Sequence, residues 1–124
     1  MRALAVDTST PWGSVAVAGP EGVLAEARVK AERGHSRWLL PAAEALLGGL
    51  DLAVGALDVF AVTIGPGSFT GLRVGLGSIQ GLGIATGRLC VGLSTLDVMA
   101  LSAAGSAGTI VALVDAFRGE VYSG

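Results

Sequence analysis

The sequence predicts an α/β domain with a mixed sheet and helices on its faces. Three observations carry this. Short apolar runs crowd the first thirty residues and are separated only by turn-like segments, the pattern of an antiparallel meander. From residue 35 onward helical and strand patterns alternate, which adds parallel strands to that meander. Two of the runs end in a carboxylate, Asp7 and Asp115, and open α/β sheets collect ligands at such strand ends.

The elements follow in order. "RALAVD" at 2–7 is the first strand, with "SVAVA" at 14–18 and "GVLAEARVK" at 22–30 after the turns "TSTPWG" and "GPEG". The third run alternates apolar and charged residues from Leu24 to Lys30, so one of its faces is wet. "HSRWLLPAAEALLGGL", 35–50, has helical period with Leu39, Ala43, Leu46 and Leu50 on one stripe. Pro41 within it implies a kink or a late start. "DVFAVTIG", 58–65, is continuous, apolar and partly β-branched, which fits a buried parallel strand. A glycine-dense helix is expected near 69–87, then the strand "RLCVGLS", a helix at 95–104 and the strand "TIVALVD" at 109–115. The tail "RGEVYSG" begins another strand, so the chain stops inside what reads as a hairpin and is expected to be a truncated form.

Composition narrows the function. The 124 residues make one domain, 52% hydrophobic and 15% charged, against about 25% charged in typical domains. Such a chain has more apolar surface than polar residues to cover it, which points to a habitual partner. Net charge is −2 and the basic residues are scattered. A direct grip on nucleic acid, which needs a basic stripe, is therefore not expected. Cys90 is the only cysteine, so an intrachain disulfide and a cysteine metal cluster are excluded; its apolar setting, "RLCVGL", predicts a buried inert thiol. Asp7 interrupts the first apolar run, which argues against a signal peptide and for a cytoplasmic protein. Uncharged residues 74–87 are fewer than the ~20 of a membrane span.

The stretch "GPGSFTGLRVGLGSIQGLGIATG", 65–87, poses the main question. A Walker loop requires a GK[ST] ending, and no lysine follows Lys30. "GLGSIQG" only loosely matches a dinucleotide fingerprint, and "GPGSFTG" lacks the GxSxG spacing of a serine elbow. Wound as a helix, Gly71, Gly75, Gly77, Ser78, Gly81 and Ala85 gather on an arc of about 160°. Interior glycines cost ~1 kcal/mol each relative to alanine. The face they form would let another helix backbone approach closely, with packing on the domain's own sheet as the alternative. Gly75, in the middle of the row, is expected where two helices come closest. Ser68 and Thr70 supply caps at the helix start. The first helix also has an apolar arc wider than a one-sided surface helix needs. His35, the only histidine, has no second ligand one turn on, where Leu39 stands, and is expected as a helix-start residue.

The segments "LAVDTSTPWGSVAV", "HSRWLLPAAEALL", "FAVTIGPGSFTGLRVGLGSIQGLGIATG", "VGLSTLDVMA" and "VDAFRGEVYSG" together resemble the TsaB (YeaZ) family, for which "GPGSFTGLR" is a very specific signature. The resemblance runs over the whole chain but over only the N-terminal half of a family member. It implies an actin-like ATPase (ASKHA, ribonuclease H-like) domain over 1–124, with a five-stranded mixed sheet, the family's second domain being absent from this chain. It further implies a non-catalytic dimerisation subunit of the machinery that makes threonylcarbamoyladenosine in tRNA next to the anticodon. Its partners would be TsaD, the metal- and nucleotide-binding transferase, and the ATPase TsaE, with tRNA reached only through the complex. No cofactor or metal of its own is implied. Asp7, Thr8 and Ser9 match the fold's first phosphate loop, but Thr8–Ser9 replaces the glycine-containing turn of active relatives, which weighs against ATP hydrolysis.

The resemblance also places the dimer interface, homodimeric or with TsaD, on the two helices. The candidate residues on the first are Trp38, Leu40, Ala45 and Leu47. On the second they are Phe69, Gly71, Arg73 and Val74, continuing through Gly75, Gly77, Ser78 and Gly81. The other readings carried forward are the nucleotide-binding half of an ASKHA-type small-molecule kinase and a glycoprotease-like hydrolase of the peptidase M22 kind.

Overall fold

The computed structural model describes residues 1–31, 34–102, 113–115 and 121–123. Strands β1 (Ala3–Asp7), β2 (Trp12–Gly19) and β3 (Gly22–Lys30) form the expected antiparallel meander. Strands β4 (Val59–Thr63) and β5 (Leu89–Leu93) then add in parallel on the other side of β1, giving the order β3-β2-β1-β4-β5. Helix α1 (Leu39–Gly49) and a 3-10 turn (Val54–Ala56) lead into β4, α2 (Phe69–Thr86) into β5, and α3 (Thr95–Ser102) follows β5. A short hairpin of β6 (Leu113–Asp115) and β7 (Val121–Ser123) lies within the last two expected strands, whose remaining residues are outside the described ones.

Alternation along the strands decides the layers. Leu4 and Val6 of β1, Val15 and Val17 of β2, and Phe60 and Val62 of β4 are buried on one face and meet Leu39, Ala43 and Leu47 of α1 and Ile79 of α2. Both helices therefore cover the same face, α1 over β2 and β3, α2 over β4, β1 and β5. The opposite face carries Ala3, Ala5, Ala16 and Ala18, which are small and half-buried.

Helix α1 starts late, at Leu39, so Pro41 sits in the first turn, where a missing N–H breaks no helical bond. Its start is tied to the sheet by a buried clasp. His35 Nε2–H donates to Thr10 O at 2.7 Å, and Trp38 Nε1–H donates to His35 Nδ1 at 2.8 Å. The two partners fix the imidazole as the neutral Nε2–H tautomer, in keeping with its expected place at the helix start. Helix α2 is capped by Ser68 Oγ, which accepts from Gly71 N at 3.2 Å, and ends on Gly87 in the left-handed region at φ 69°. Thr70, the other expected cap, is exposed and carries no cap bond.

Gly13 is the residue that lets the clasp close, because a Cβ there would run into the Trp38 ring and His35 Nδ1. Gly13→Ala should therefore destabilise the fold by about 1–3 kcal/mol in urea unfolding. An unchanged midpoint would mean the clasp is not part of the core.

Candidate functional site

The carboxyl ends of β1 and β4 meet the start of α2, and the turn after β1 is drawn inward there. Thr8 and Ser9 are both buried. Thr8 Oγ1 donates to the carbonyl of Gly71 at 2.6 Å, and Ser68 N donates to Ser9 O at 2.8 Å. The turn can lie this close only because α2 has no side chains in its way. A Cβ on Gly71 would meet Thr8 O, and one on Gly75 would meet Thr8 Oγ1 and, at 3.2 Å, Val62 Cγ2. A Cβ on Gly67 would likewise overlap Ser9.

Asp7 behaves differently. Its Oδ1 accepts from Ser9 N at 3.0 Å, Ser9 Oγ at 2.6 Å and Thr63 Oγ1 at 2.8 Å. The residue is half-buried and lines an open cleft on the face away from α1 and α2. Of the three residues matched to a phosphate loop, only Asp7 presents its side chain to a space a ligand could enter. Thr8 and Ser9 are committed to holding the turn.

The glycine face of α2 thus divides in two. Gly71, Gly75, Ile79 and Gly83, spaced four residues apart, are the buried row. Gly77 and Gly81 are exposed, with open space where their Cβ atoms would be. This corrects the expectation for Gly71 and Gly75: the chain's own turn occupies them, and no second helix can reach them. Leu47 likewise belongs to the core under α1, although it also lines the groove between the helices.

The other residues of the candidate interface are accessible to differing degrees. Leu40 is 48% exposed and Ala45 exposed, while Trp38, Val74 and Ser78 are half-buried. Phe69 is 74% exposed with the Arg73 guanidinium 5.5 Å from its ring centre. A groove between the helices is lined by Leu40, Ala43, Glu44 and Leu47 of α1 and Leu82 of α2, with Leu4 from the sheet and Val54. Ile84, 85% exposed, and Leu76 also stand on the open side of α2. Neither belongs to the arc of small residues by which the sequence marks this face.

Cys90 departs from expectation too. It is exposed on β5, where the sheet ends, rather than buried. Its Sγ sits under Gly83, where any side chain would collide with it, and donates to Ile79 O at 3.5 Å. Among the described residues no group of His, Cys, Asp or Glu could hold a metal ion. No helix there is long and apolar enough to cross a membrane.

A meander of three strands extended by two parallel ones, with a carboxylate at the end of the first, defines a ribonuclease H-like domain of the actin-like ATPase class. The structure of Thermus thermophilus RuvC, at TM-score 0.54 and 16% identity over 88% of this chain and 74% of that one, shares this fold. Residues 21–124 match the family described as TsaD: tRNA N6-adenosine threonylcarbamoyltransferase, and the chain belongs to that family, on its TsaB (YeaZ) side. It is 37% identical to the Escherichia coli tRNA threonylcarbamoyladenosine biosynthesis protein TsaB, over 98% of this chain and 53% of that protein. YeaZ from Pseudomonas aeruginosa superposes at TM-score 0.91 with 36% identity, over 98% of this chain and 58% of the other. The chain spans about half the length of the curated relatives it matches.

The division of α2 is directly testable by alanine substitution. Gly77→Ala and Gly81→Ala, at open positions, should each stabilise the chain by up to ~1 kcal/mol through helix propensity. Gly71→Ala and Gly75→Ala should destabilise it by about 1–3 kcal/mol, since the added methyl strikes the β1–β2 turn. Melting curves of the four variants check this, and a single sign across all four would refute the division.

Proposed function

We propose that this chain is the N-terminal domain of a non-catalytic scaffold subunit in the synthesis of threonylcarbamoyladenosine in tRNA. It docks onto TsaD through α1 and α2 and works alongside TsaE, with tRNA contacted only through the assembly. The matched relatives are about twice as long as this chain, a second domain would complete the subunit, and the setting is the cytoplasm. The relatives named for this biosynthesis support the pathway.

The observation that carries the docking role is the groove between α1 and α2 with Leu40 exposed along it, together with Leu76 and Ile84 exposed elsewhere on the surface of α2. Large apolar side chains gathered on two neighbouring helices mark a surface made for burial. Gly77 and Gly81 beside them leave room for close backbone approach. A homodimer through the same face is the alternative occupant. The inward turn of Thr8 and Ser9 supports the absence of phosphate chemistry, because the hydroxyls of that turn are bonded or buried within the chain.

The test is reconstitution. Modified nucleoside is measured on tRNA with TsaD and TsaE, with and without this chain, and complex formation is followed by gel filtration. Gly81→Leu should leave the melting temperature of the free chain unlowered, since its Cβ meets open space. It should weaken the TsaD complex by about tenfold or more, the effect of overpacking a contact by ~1–3 kcal/mol. ATP or peptide turnover by the chain alone that disappears in Asp7→Ala would overturn the scaffold reading in favour of a kinase or hydrolase half.

A further inference from the structure

The face of the sheet turned away from α1 and α2 holds a charge pattern that the scaffold role leaves unused. Register puts Asp7 opposite Ser14 and Ser14 opposite Arg28. Directly paired residues share a face, so the three side chains form one row across β1, β2 and β3. The next row is floored by Ala5 and Ala16, with Glu26 beside them on β3. The polar row lines a cleft of 390 Å³ with Glu26 and Trp12 in its walls. That size lies within the range of small-ligand sites, about 300–1,000 Å³.

Both charges are oriented by neighbours. The three bonds to Asp7 Oδ1 hold the carboxylate, leaving Oδ2 without a hydrogen-bond partner among the described residues. Arg28 Nε donates to Glu26 Oε1 at 2.9 Å, and its two terminal nitrogens have no hydrogen-bond partner among the described residues. Ser14, midway between, offers a hydroxyl. A phosphate fits this arrangement poorly, because Asp7 repels it and the amides of Ser9 and Ser68 are already bonded within the chain.

We propose that the cleft binds a small zwitterion of the α-amino-acid class, its ammonium on Asp7 Oδ2 and its carboxylate on the terminal nitrogens of Arg28. Asp7 and Arg28 line the same cleft with Ser14 between them, so one small ligand can meet both. An ammonium alone would engage only Asp7, and a carboxylate alone only the terminal nitrogens of Arg28, whose Nε is held by Glu26. The site is independent of the scaffold role and would stand if that role failed.

Calorimetric titration of the full chain with L-alanine, L-alaninamide and N-acetyl-L-alanine tests the assignment. L-alanine should bind saturably, and loss of either ligand charge should weaken binding by about tenfold or more. Arg28→Gln should abolish the preference for L-alanine over L-alaninamide, and Asp7→Asn the preference over N-acetyl-L-alanine. Should Asp7→Asn disturb the turn, Arg28→Gln carries the test alone, since its side chain is 73% exposed and outside the core. Absence of saturable L-alanine binding, equal affinity for the three ligands, or an unchanged preference in Arg28→Gln would each overturn the proposal.

Discussion

The architecture depends on one close contact, the seating of the β1–β2 turn against a helix face that has no side chains. Thr8 is fully buried beneath α2, and its hydroxyl donates to a carbonyl in that helix's first turn. Helix glycines are unfavourable by about 1 kcal/mol apiece, so Gly71 and Gly75 need a compensating gain. They obtain it by letting Thr8 and Val62 approach where a methyl group would not fit. The contact also ties β1, in the middle of the sheet, to the helix that leads into β5. The same turn is held from the other side by His35, through the carbonyl of Thr10. The start of α2 and the residues leading into α1 thereby grip one four-residue connection.

That grip distributes chemistry between the faces of the sheet. On the helix side the core is continuous from Leu39 to Phe60 and Ile79, with the groove between α1 and α2 partly open. On the other side the strands present alanines and a polar row headed by Asp7. Asp7 can remain accessible because the residues after it turn inward, and their hydrogen bonds orient its carboxylate. Burial of Thr8 and exposure of Asp7 are two consequences of one backbone path.

The order of elements was legible because strand alternation and turn residues at 8–13 and 19–22 leave little freedom in a meander. The orientation of α2 was harder to read. A helical wheel collects Gly71, Gly75, Gly77 and Gly81 on one broad arc without indicating which part of that arc meets the sheet. The four-residue row through Ile79 to Gly83 holds the missing signal, since Ile79 is the large apolar residue that must be buried. Cys90 was misjudged for a related reason. An apolar run indicates a strand but not whether that strand lies at the edge of its sheet, and β5 does. The His35 clasp joins residues 25 positions apart, and local pattern carries no trace of such a contact.

Fixing the rotation of α2 has a further effect. Once Gly71, Gly75 and Gly83 are pressed against Thr8, Val62 and Cys90, the helix cannot turn about its axis without driving side chains into those groups. The exposed arc is then set as well: Gly77 and Gly81 face outward together with Leu76 and Ile84. The smooth, partly apolar outer surface of α2 is thus determined by the internal packing that holds the turn. The two sets of glycines do different work on one helix, and the buried set decides where the open set points.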